Sequence, residues 1–254
     1  MRIQIKVALA RLEAQHGIRI LHACEAGSRA WGFPSLGSDY DVRFIYAHPA
    51  AWYLRLDEGS DTLNFPIEET LDLVGWELRK ALRLLRGSNA ALFEWLQSPL
   101  VYYEAPGFRA QLTPLLPLAF NLKAGQHHYL GQLRRGIAED LAGDAVCLKR
   151  LFYALRAALA ARWMRERYAL PPMDFGSLRE LLPTDLQVIV EEIFTQKAII
   201  NERTMVLRPA ALVDFLVAEH AAGLAARELL PVARGTAEPL IQALDELLRV
   251  WLPA

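Results

Sequence analysis

Apolar residues at the start of the chain recur at helical spacing and then change period. Residues 3–16 place Ile5, Leu9 and Leu12 on one face of a helix, and the pattern stops at Gly17. Glycine is favoured just past a helix end because it adopts the left-handed backbone conformation readily. The pattern therefore predicts a short opening helix that ends at Gly17.

Five later segments carry the apolar, β-branched and aromatic residues that are typical of strands. They are residues 18–24, 42–47, 52–56, 68–74 and 99–103. A connection rich in Gly, Ser and Pro, residues 25–40, separates the first two segments. These segments predict a small mixed β-sheet.

From Gly75 onward the apolar spacing is helical again. One predicted helix ends at Gly87, and another begins at a cap on Ser88 or Asn89. Beyond Pro106 nearly the whole chain is predicted to be helical. The predicted segments are residues 107–116, 119–142, 146–168, 184–200, 209–230 and 237–252.

These patterns predict an α+β fold. A small mixed β-sheet core with flanking helices is expected over residues 1–105, followed by an all-helical C-terminal domain over residues 106–254.

The composition is that of a folded protein with a buried core. Hydrophobic residues make up 53% of the 254 residues and charged residues 22%, which excludes disorder as the dominant state. The longest uncharged stretch, Ala110–Leu122, is shorter than the roughly 20 apolar residues that a membrane span needs. With only two cysteines and no apolar leader segment, the sequence predicts a soluble cytoplasmic protein without a membrane partner.

The distribution of charge is uneven along the chain. The net charge of −1 argues against a protein that coats nucleic acid through its overall field. Between residues 120 and 170, however, there are nine basic and four acidic residues, a local net charge of +5. Either a local anionic partner or ordinary solvated helix faces account for this excess.

The connection between the first two predicted strands carries the candidate chemistry. Gly27 and Ser28 directly follow a strand, where glycine lets backbone amides approach a phosphate and serine adds a hydroxyl donor. Asp39 and Asp41 lie two residues apart at the entrance of the next strand, so both carboxylates project from one face. Two such hard oxygen ligands suit Mg²⁺.

A third carboxylate is needed for two-metal phosphoryl transfer, because one side chain must share the second metal and accept the proton of the attacking hydroxyl. Asp72 is the candidate, since a lone carboxylate inside an apolar strand is costly unless it is paired or metal-bound. Glu68, Glu69 and Glu77 are its rivals.

These residues resemble a known motif. Gly-Ser, ten further residues, Asp-x-Asp and a later apolar-Asp-apolar strand resemble the DNA polymerase β-type nucleotidyltransferase superfamily. The strings Glu-Ala-Gly-Ser-Arg-Ala-Trp-Gly-Phe and Ser-Asp-Tyr-Asp-Val-Arg-Phe-Ile-Tyr resemble, in particular, the predicted nucleotidyltransferase or RNA-repair-pathway polymerase-β-like family of bacteria and phages. The segment 148–156 adds to the resemblance, although Ala157 stands where it leads us to expect proline.

The resemblance implies roles for individual residues. Gly27 and Ser28 would hold the triphosphate of a nucleotide. Asp39 and Asp41 would hold two Mg²⁺ ions, and Asp72 would complete a triad that is both catalytic and metal-binding.

Basic and aromatic residues would contact the rest of the nucleotide. Arg29 resembles a phosphate-contacting position, whereas Arg43, on the strand face of the two aspartates, either steers a phosphate or pairs with a carboxylate. Lys149, Tyr153 and Arg156 recur at i, i+4 and i+7 on one side of a helix. They would supply cations and a base-stacking ring to the nucleotide.

Two residues beside the Gly-Ser turn have simpler interpretations. Cys24 is predicted to be a buried strand residue rather than a nucleophile, because no partner base is visible. Trp31 is predicted to be a packing residue that could also shape the phosphate-binding loop.

The sequence thus predicts a Mg²⁺-dependent, template-independent nucleotidyltransferase that moves a nucleoside monophosphate from a nucleoside triphosphate to a hydroxyl. An RNA end is the favoured acceptor, with a protein or a small molecule as alternatives. The competing hypothesis is a non-catalytic nucleotide- or RNA-binding regulatory module on the same fold. The preferred base and the oligomeric state are left open.

Overall fold

The computed structural model describes residues 1–66, 70–199, 201, 204–231 and 238–253. In chain order, the elements are α1 (Arg2–His16), β1 (Arg19–Glu25), α2 (Ser28–Trp31), β2 (Tyr40–Ala47), α3 (Ala50–Tyr53), β3 (Thr62–Asn64), β4 (Leu71–Glu77), α4 (Leu78–Arg86), α5 (Ala90–Gln97), β5 (Val101–Glu104), α6 (Phe108–Leu112), α7 (Leu116–Ala119), α8 (Leu122–Arg135), β6 (Ala145–Cys147), α9 (Leu148–Arg167), α10 (Phe175–Arg179), α11 (Thr184–Ile199), β7 (Met205–Leu207), α12 (Ala210–Ala226) and α13 (Glu238–Trp251).

The described residues form two compact units. The sheet unit takes in those of Met1–Gly27, Asp39–Phe120 and Arg234–Ala254. The helix-rich unit takes in those of Ser28–Ser38 and Asn121–Ala233.

The sheet has five strands in the order β3-β4-β2-β1-β5. Strands β2 and β4 run parallel, whereas β1 is antiparallel to both β2 and β5, and β3 is antiparallel to β4. The fold class is therefore as predicted: a mixed sheet with flanking helices, followed by a helical C-terminal region.

Successive side chains of β2 project from opposite faces of the sheet, and this determines which of them face the candidate site. Val42, Phe44 and Tyr46 point to the core face, where Ile5 and Leu9 of α1 pack with them. The intervening residues of β2 therefore lie on the opposite face of the sheet. On β4, a Cβ added to the glycine at position 75 would overlap the ring of Phe44, so only glycine fits there.

Helix and strand positions in the first hundred residues mostly agree with the sequence predictions. Helix α1 ends at Gly17, whose φ is 59°, and Asn89 is the side chain that caps α5. The predicted strands at 18–24, 42–47 and 99–103 are confirmed within two residues at either end.

The predicted strand at residues 52–56 is wrong, because residues Ala50–Tyr53 form the short helix α3. Pro49 precedes its first turn, a position where the missing N–H costs no hydrogen bond. The ring of His48 stacks on Trp52 four residues later, with centroids 4.3 Å apart. The aromatic residues that look strand-like are thus paired at helical spacing.

The strand predicted at 68–74 ends later than expected, and the first two residues of that prediction lie outside the described residues. Strand β4 continues through Trp76 to Glu77, and helix α4 begins at Leu78 rather than near Gly75. The side chain of Glu77 accepts hydrogen bonds from the backbone N–H groups of Arg79 and Lys80, which fixes the helix start.

The helix-rich unit is built around α9, against which α8, α10 and α12 pack. The short strands β6 and β7 pair in an antiparallel ribbon that the sequence analysis did not predict. Helix α10 was also not predicted; Asp174 caps it by accepting a hydrogen bond from the N–H of Ser177.

The segments that make up the two units differ from those of the predicted division after residue 105. Helices α6, α7 and α13 belong to the sheet unit, and Ser28–Ser38 belongs to the helix-rich unit. Apolar periodicity shows that a segment is helical but does not show which core it covers. Whether residues 1–105 and 106–254 are separate folding domains stays a prediction.

None of the helices in the described ranges is long and apolar enough to cross a membrane.

Candidate active site

Two predicted site carboxylates lie side by side in the sheet unit. Asp41 of β2 and Asp72 of β4 are direct partners in the register of the parallel pair. Residues paired in this way project from the same face of a sheet. The structure therefore brings Asp41 and Asp72 together, as expected for a shared site.

Arg43 bridges the two carboxylates. Its Nη2 lies 3.2 Å from Asp41 Oδ1 and 2.7 Å from Asp72 Oδ2, and its Nη1 donates to the carbonyl oxygen of Asp72 at 3.2 Å. The side chains of Arg43, Asp41 and Asp72 are 18%, 29% and 20% exposed. Of the two roles considered for Arg43, pairing with carboxylates is the one present in this structure.

The backbone at Gly27 lies directly against Asp41. Gly27 has a φ of +86°, and a Cβ placed on it would overlap Asp41 Oδ2 and lie 3.1 Å from Asp41 Cγ. The N–H of Ala26 donates to the carbonyl oxygen of Asp41 at 2.7 Å. Gly27 is therefore required both by its backbone conformation and by the space that the carboxylate occupies.

A buried glutamate, Glu25, supports this corner of the sheet. Its Oε1 accepts a hydrogen bond from the backbone N–H of Asp41 at 2.8 Å, and its Oε2 accepts one from the hydroxyl of Tyr102. Ser98 Oγ donates to the carbonyl oxygen of Glu25 at 2.6 Å. Sequence reasoning gave Glu25 no role, although a charged residue at the end of an apolar strand is the same signal that identified Asp72.

The donor set of Asp41 and Asp72 fits Mg²⁺, which takes one or two protein carboxylates and completes its shell with water and phosphate oxygens. Asp39 lies immediately before β2 and is partly exposed. Within the described ranges, no group of three or more His, Cys, Asp or Glu side chains is arranged to hold a metal ion. The role of Asp39 as a further metal ligand stays a prediction.

The alternatives to Asp72 as the third carboxylate are Glu68, Glu69 and Glu77. Glu77 is buried and accepts hydrogen bonds from the first turn of α4 and from the hydroxyl of Tyr53. Its oxygens are thus used in holding a helix start. Glu68 and Glu69 lie outside the described residues.

Ser28 and Arg29 lie in the helix-rich unit, at the start of α2. Ser28 is buried, and its Oγ donates to Ser38 Oγ at 3.4 Å. Arg29 donates to the carbonyl oxygen of Ser38 at 2.6 Å. These contacts join the two ends of the segment 28–38, and the predicted phosphate contacts of both residues stay predictions.

Lys197 also supports this segment, and sequence reasoning missed it. The side chain is buried, and its Nζ donates to the carbonyl oxygen of Phe33 and to Ser35 Oγ, both at 2.6 Å. No motif marks this lysine in the sequence, because its partners are a carbonyl and a hydroxyl 162 or more residues away.

The predicted basic and aromatic residues of α9 gather around Trp31. The ring of Tyr153 meets that of Trp31 edge-on at 5.0 Å, and the Arg156 guanidinium lies 4.3 Å from the Trp31 centroid. Lys149 Nζ lies 5.9 Å from the Tyr153 ring. Arg156 is buried and donates to the carbonyl oxygen of Met173, so its described contacts are those of a packing residue.

Cys24 is fully buried, as expected. Burial raises the pKa of its thiol far above the usual range, and the nearby Glu25 carboxylate raises it further. The thiolate that a nucleophile requires is therefore disfavoured at Cys24.

Comparison with known proteins identifies the family. Residues 1–250 match the RNA repair pathway DNA polymerase beta family. A Bacillus subtilis (strain 168) protein, "Uncharacterized protein YcgL", is 44% identical over 191 residues, which cover 75% of this chain and 74% of that protein. The family match supports nucleotidyltransferase-type function. Because it extends over nearly the whole sequence, it confirms the resemblance of the motifs, and the chain belongs to the RNA repair pathway DNA polymerase beta family.

Proposed function

We propose that this protein is a Mg²⁺-dependent, template-independent nucleotidyltransferase that moves a nucleoside monophosphate from a nucleoside triphosphate to a hydroxyl group. The observation that carries the proposal is the in-register pairing of Asp41 with Asp72 beside the backbone of Gly27. Paired carboxylates next to a glycine turn suit a metal-bound triphosphate better than they suit an uncharged substrate.

In the proposed reaction the acceptor oxygen attacks the α-phosphorus. A new phosphorus–oxygen bond forms, the bond from the α-phosphorus to the bridging oxygen breaks, and pyrophosphate leaves with that electron pair. Asp72 would take the proton of the attacking hydroxyl, and Asp39 and Asp41 would hold Mg²⁺. When bound, Mg²⁺ would supply charge neutralisation on the phosphate oxygens.

The favoured acceptor is an RNA end. Its support is the RNA repair pathway in the description of the family, together with the local net charge of +5 between residues 120 and 170. A cytoplasmic location belongs to the same proposal, since RNA and nucleoside triphosphates meet there. Ser28, Arg29, Lys149, Tyr153 and Arg156 are the proposed nucleotide contacts, and alanine replacement at each tests them through the KM for the nucleotide.

A second candidate is a nucleotide- or RNA-binding module without turnover. The ion pairs of Arg43 favour it, because an arginine that pairs with both carboxylates leaves less net negative charge for a metal. A binding module would hold a nucleotide without transferring any part of it.

Transfer of label from [α-³²P]-labelled ATP, GTP, CTP and UTP tests the proposal. Each nucleotide is incubated with Mg²⁺, total RNA and total protein, using the wild-type chain, the double variant D39N/D41N, and D245N as a control at an exposed aspartate. We expect label on RNA with the wild type and D245N and none with D39N/D41N. Label on protein alone would replace the RNA acceptor, and tight nucleotide binding without any label would favour the binding module.

A further inference from the structure

Arg43 occupies the position between the two carboxylates that a metal-bound nucleotide would need. One nitrogen, Nη2, contacts both Asp41 Oδ1 and Asp72 Oδ2, at 3.2 and 2.7 Å. Nη1 holds the main chain of β4 through the carbonyl oxygen of Asp72. Arg43 lies two residues after Asp41 on β2, so the side chains of both residues project from the same face of the sheet.

The charges at this position explain why an arginine belongs there. Two adjacent carboxylates on neighbouring strands repel each other, and this repulsion would favour separation of the strands. One guanidinium cancels half of the paired negative charge and donates hydrogen bonds to both acids. A divalent cation would cancel all of it, so arginine and metal ion compete for the same oxygens.

We propose that Arg43 is a positioning residue that takes the place of the divalent cation in the nucleotide-free protein and yields the carboxylates only when metal and triphosphate arrive together. The inference rests on the function proposed above. Metal alone must displace a guanidinium that then has no anionic partner at the site. A metal-bound triphosphate brings phosphate oxygens that accept the donors of Arg43, so the displaced arginine is paired again.

The direct test is binding of Mn²⁺ without any nucleotide, measured by titration calorimetry. The variants are R43Q, R43K and, as a control that removes an exposed arginine elsewhere in the sheet unit, R86Q. We expect R43Q to bind Mn²⁺ about tenfold more tightly than the wild type, R43K to lie between them, and R86Q to stay within about twofold. A purely structural role for Arg43 would not tighten metal binding.

The opposite effect is expected for the nucleotide. The non-hydrolysable α,β-methylene analogue of ATP, added with Mg²⁺, should bind R43Q about tenfold more weakly than it binds the wild type, because the displaced donor is missing. Equal or weaker Mn²⁺ binding by R43Q than by the wild type would overturn the proposal, and so would unchanged binding of the analogue.

Folding and the proposed function are controlled separately. If R43Q does not fold, R43K carries the same test, because one lysine nitrogen cannot reproduce the contacts that the guanidinium makes through its two nitrogens Nη1 and Nη2. The Mn²⁺ titration uses neither nucleotide nor acceptor. Tighter Mn²⁺ binding by R43Q, together with no label transfer by the wild type, would therefore uphold the competition at Arg43 and reject the transferase. Label transfer by the wild type, together with Mn²⁺ binding by R43Q that is not tighter, would uphold the transferase and reject the competition.

Discussion

Gly27 has no side chain, and this lets the backbone turn approach the Asp41 carboxylate closely. Its φ of +86° is strained for any other residue, and a Cβ there would overlap Asp41 Oδ2. We therefore expect G27A to displace the Asp41 carboxylate and to lower nucleotidyl transfer about 100-fold, since misplacement by about 1 Å costs that much in a positioned reaction. Steady-state transfer of label measures the loss.

Gly17 provides the matched control for that prediction. Its φ of +59° imposes a similar backbone cost, but nothing lies within 4 Å of a Cβ placed on it. G17A and G27A should both lower the unfolding midpoint, but G17A should leave the transfer rate within about twofold of wild type. Equal transfer rates for G27A and G17A would show that the Gly27 contact with Asp41 does not matter.

We expect His22 to make the stability of the sheet unit sensitive to acid. Burial lowers the pKa of His22 to about 4, although the carbonyl oxygen of Trp95, 3.3 Å from Nε2, acts in the opposite direction. Between pH 6.5 and 4 the unfolded chain binds a proton at His22 and the folded chain does not. The free energy of unfolding should therefore fall as the pH falls through this window, by about 3 kcal/mol in full.

Urea denaturation at several pH values between 4 and 7 tests the His22 effect. H22Q should lose this part of the acid sensitivity, whereas H127Q, at an exposed histidine, should retain it. If the wild type and H22Q lose stability in parallel as the pH falls, the proton uptake belongs to other groups.

At the residue scale the sequence could identify the candidate residues but not their pairing. Gly27, Asp41 and Asp72 were recognised as candidates because glycine after a strand and carboxylates within strands are conspicuous in a sequence. Whether Asp72 would meet Asp41 depends on the register of two parallel strands, which 30 intervening residues do not specify. The same register decides that Arg43 pairs with the acids.

Glu77 connects three elements, β4, α4 and α3. It ends β4 and caps α4 through the N–H groups of Arg79 and Lys80, and it accepts a hydrogen bond from Tyr53 at the end of α3. Burial and that hydrogen bond raise the pKa of Tyr53. We expect E77A to reduce the free energy of unfolding by about 2 kcal/mol, because two helix N–H groups and a hydroxyl lose their acceptor.

Two variants define the Glu77 effect in urea denaturation. E77Q retains a side-chain oxygen and should recover about half of the loss, and E58A, at an exposed glutamate, should change the stability by less than about 0.5 kcal/mol. None of these variants should alter Mn²⁺ binding, since Glu77 lies outside the carboxylate pair. A loss of metal binding in E77A would return Glu77 to the metal site.

At the scale of elements, periodicity succeeded where local spacing determines the structure. The face of α1 and the strands β1, β2 and β5 follow from their own residues. The prediction failed at α3, where four residues are too few for a period to be recognised, and at the β6–β7 ribbon. In that ribbon, Val146 pairs with Val206, 60 residues later, and three residues per strand carry no pattern of their own.

At the scale of the whole molecule, the order of the chain and the composition of the units do not coincide. The segment 28–38 comes from between two strands of the sheet but belongs to the helix-rich unit, whereas α13 follows all of that unit and belongs with the sheet. The predicted division after residue 105 is drawn at one point along the chain and stays a prediction. Membership of a unit depends on tertiary burial, which apolar periodicity alone does not assign.

The stability of the sheet unit should therefore depend on residues near the end of the chain. Trp251 of α13 is 7% exposed, its ring meets that of Phe108 edge-on at 5.2 Å, and its Nε1 donates to Gln111 at 3.0 Å. Removing a buried tryptophan side chain leaves a cavity and an unpaired acceptor, so W251A should reduce the free energy of unfolding by about 3–5 kcal/mol. V250A, at a side chain that is 66% exposed, is the neighbouring control and should cost less than about 0.5 kcal/mol.

The measurement is urea denaturation followed by near-ultraviolet circular dichroism. A loss below about 1 kcal/mol for W251A would mean that the sheet unit does not need α13, and residues 1–105 would then be the better description of the folding domain.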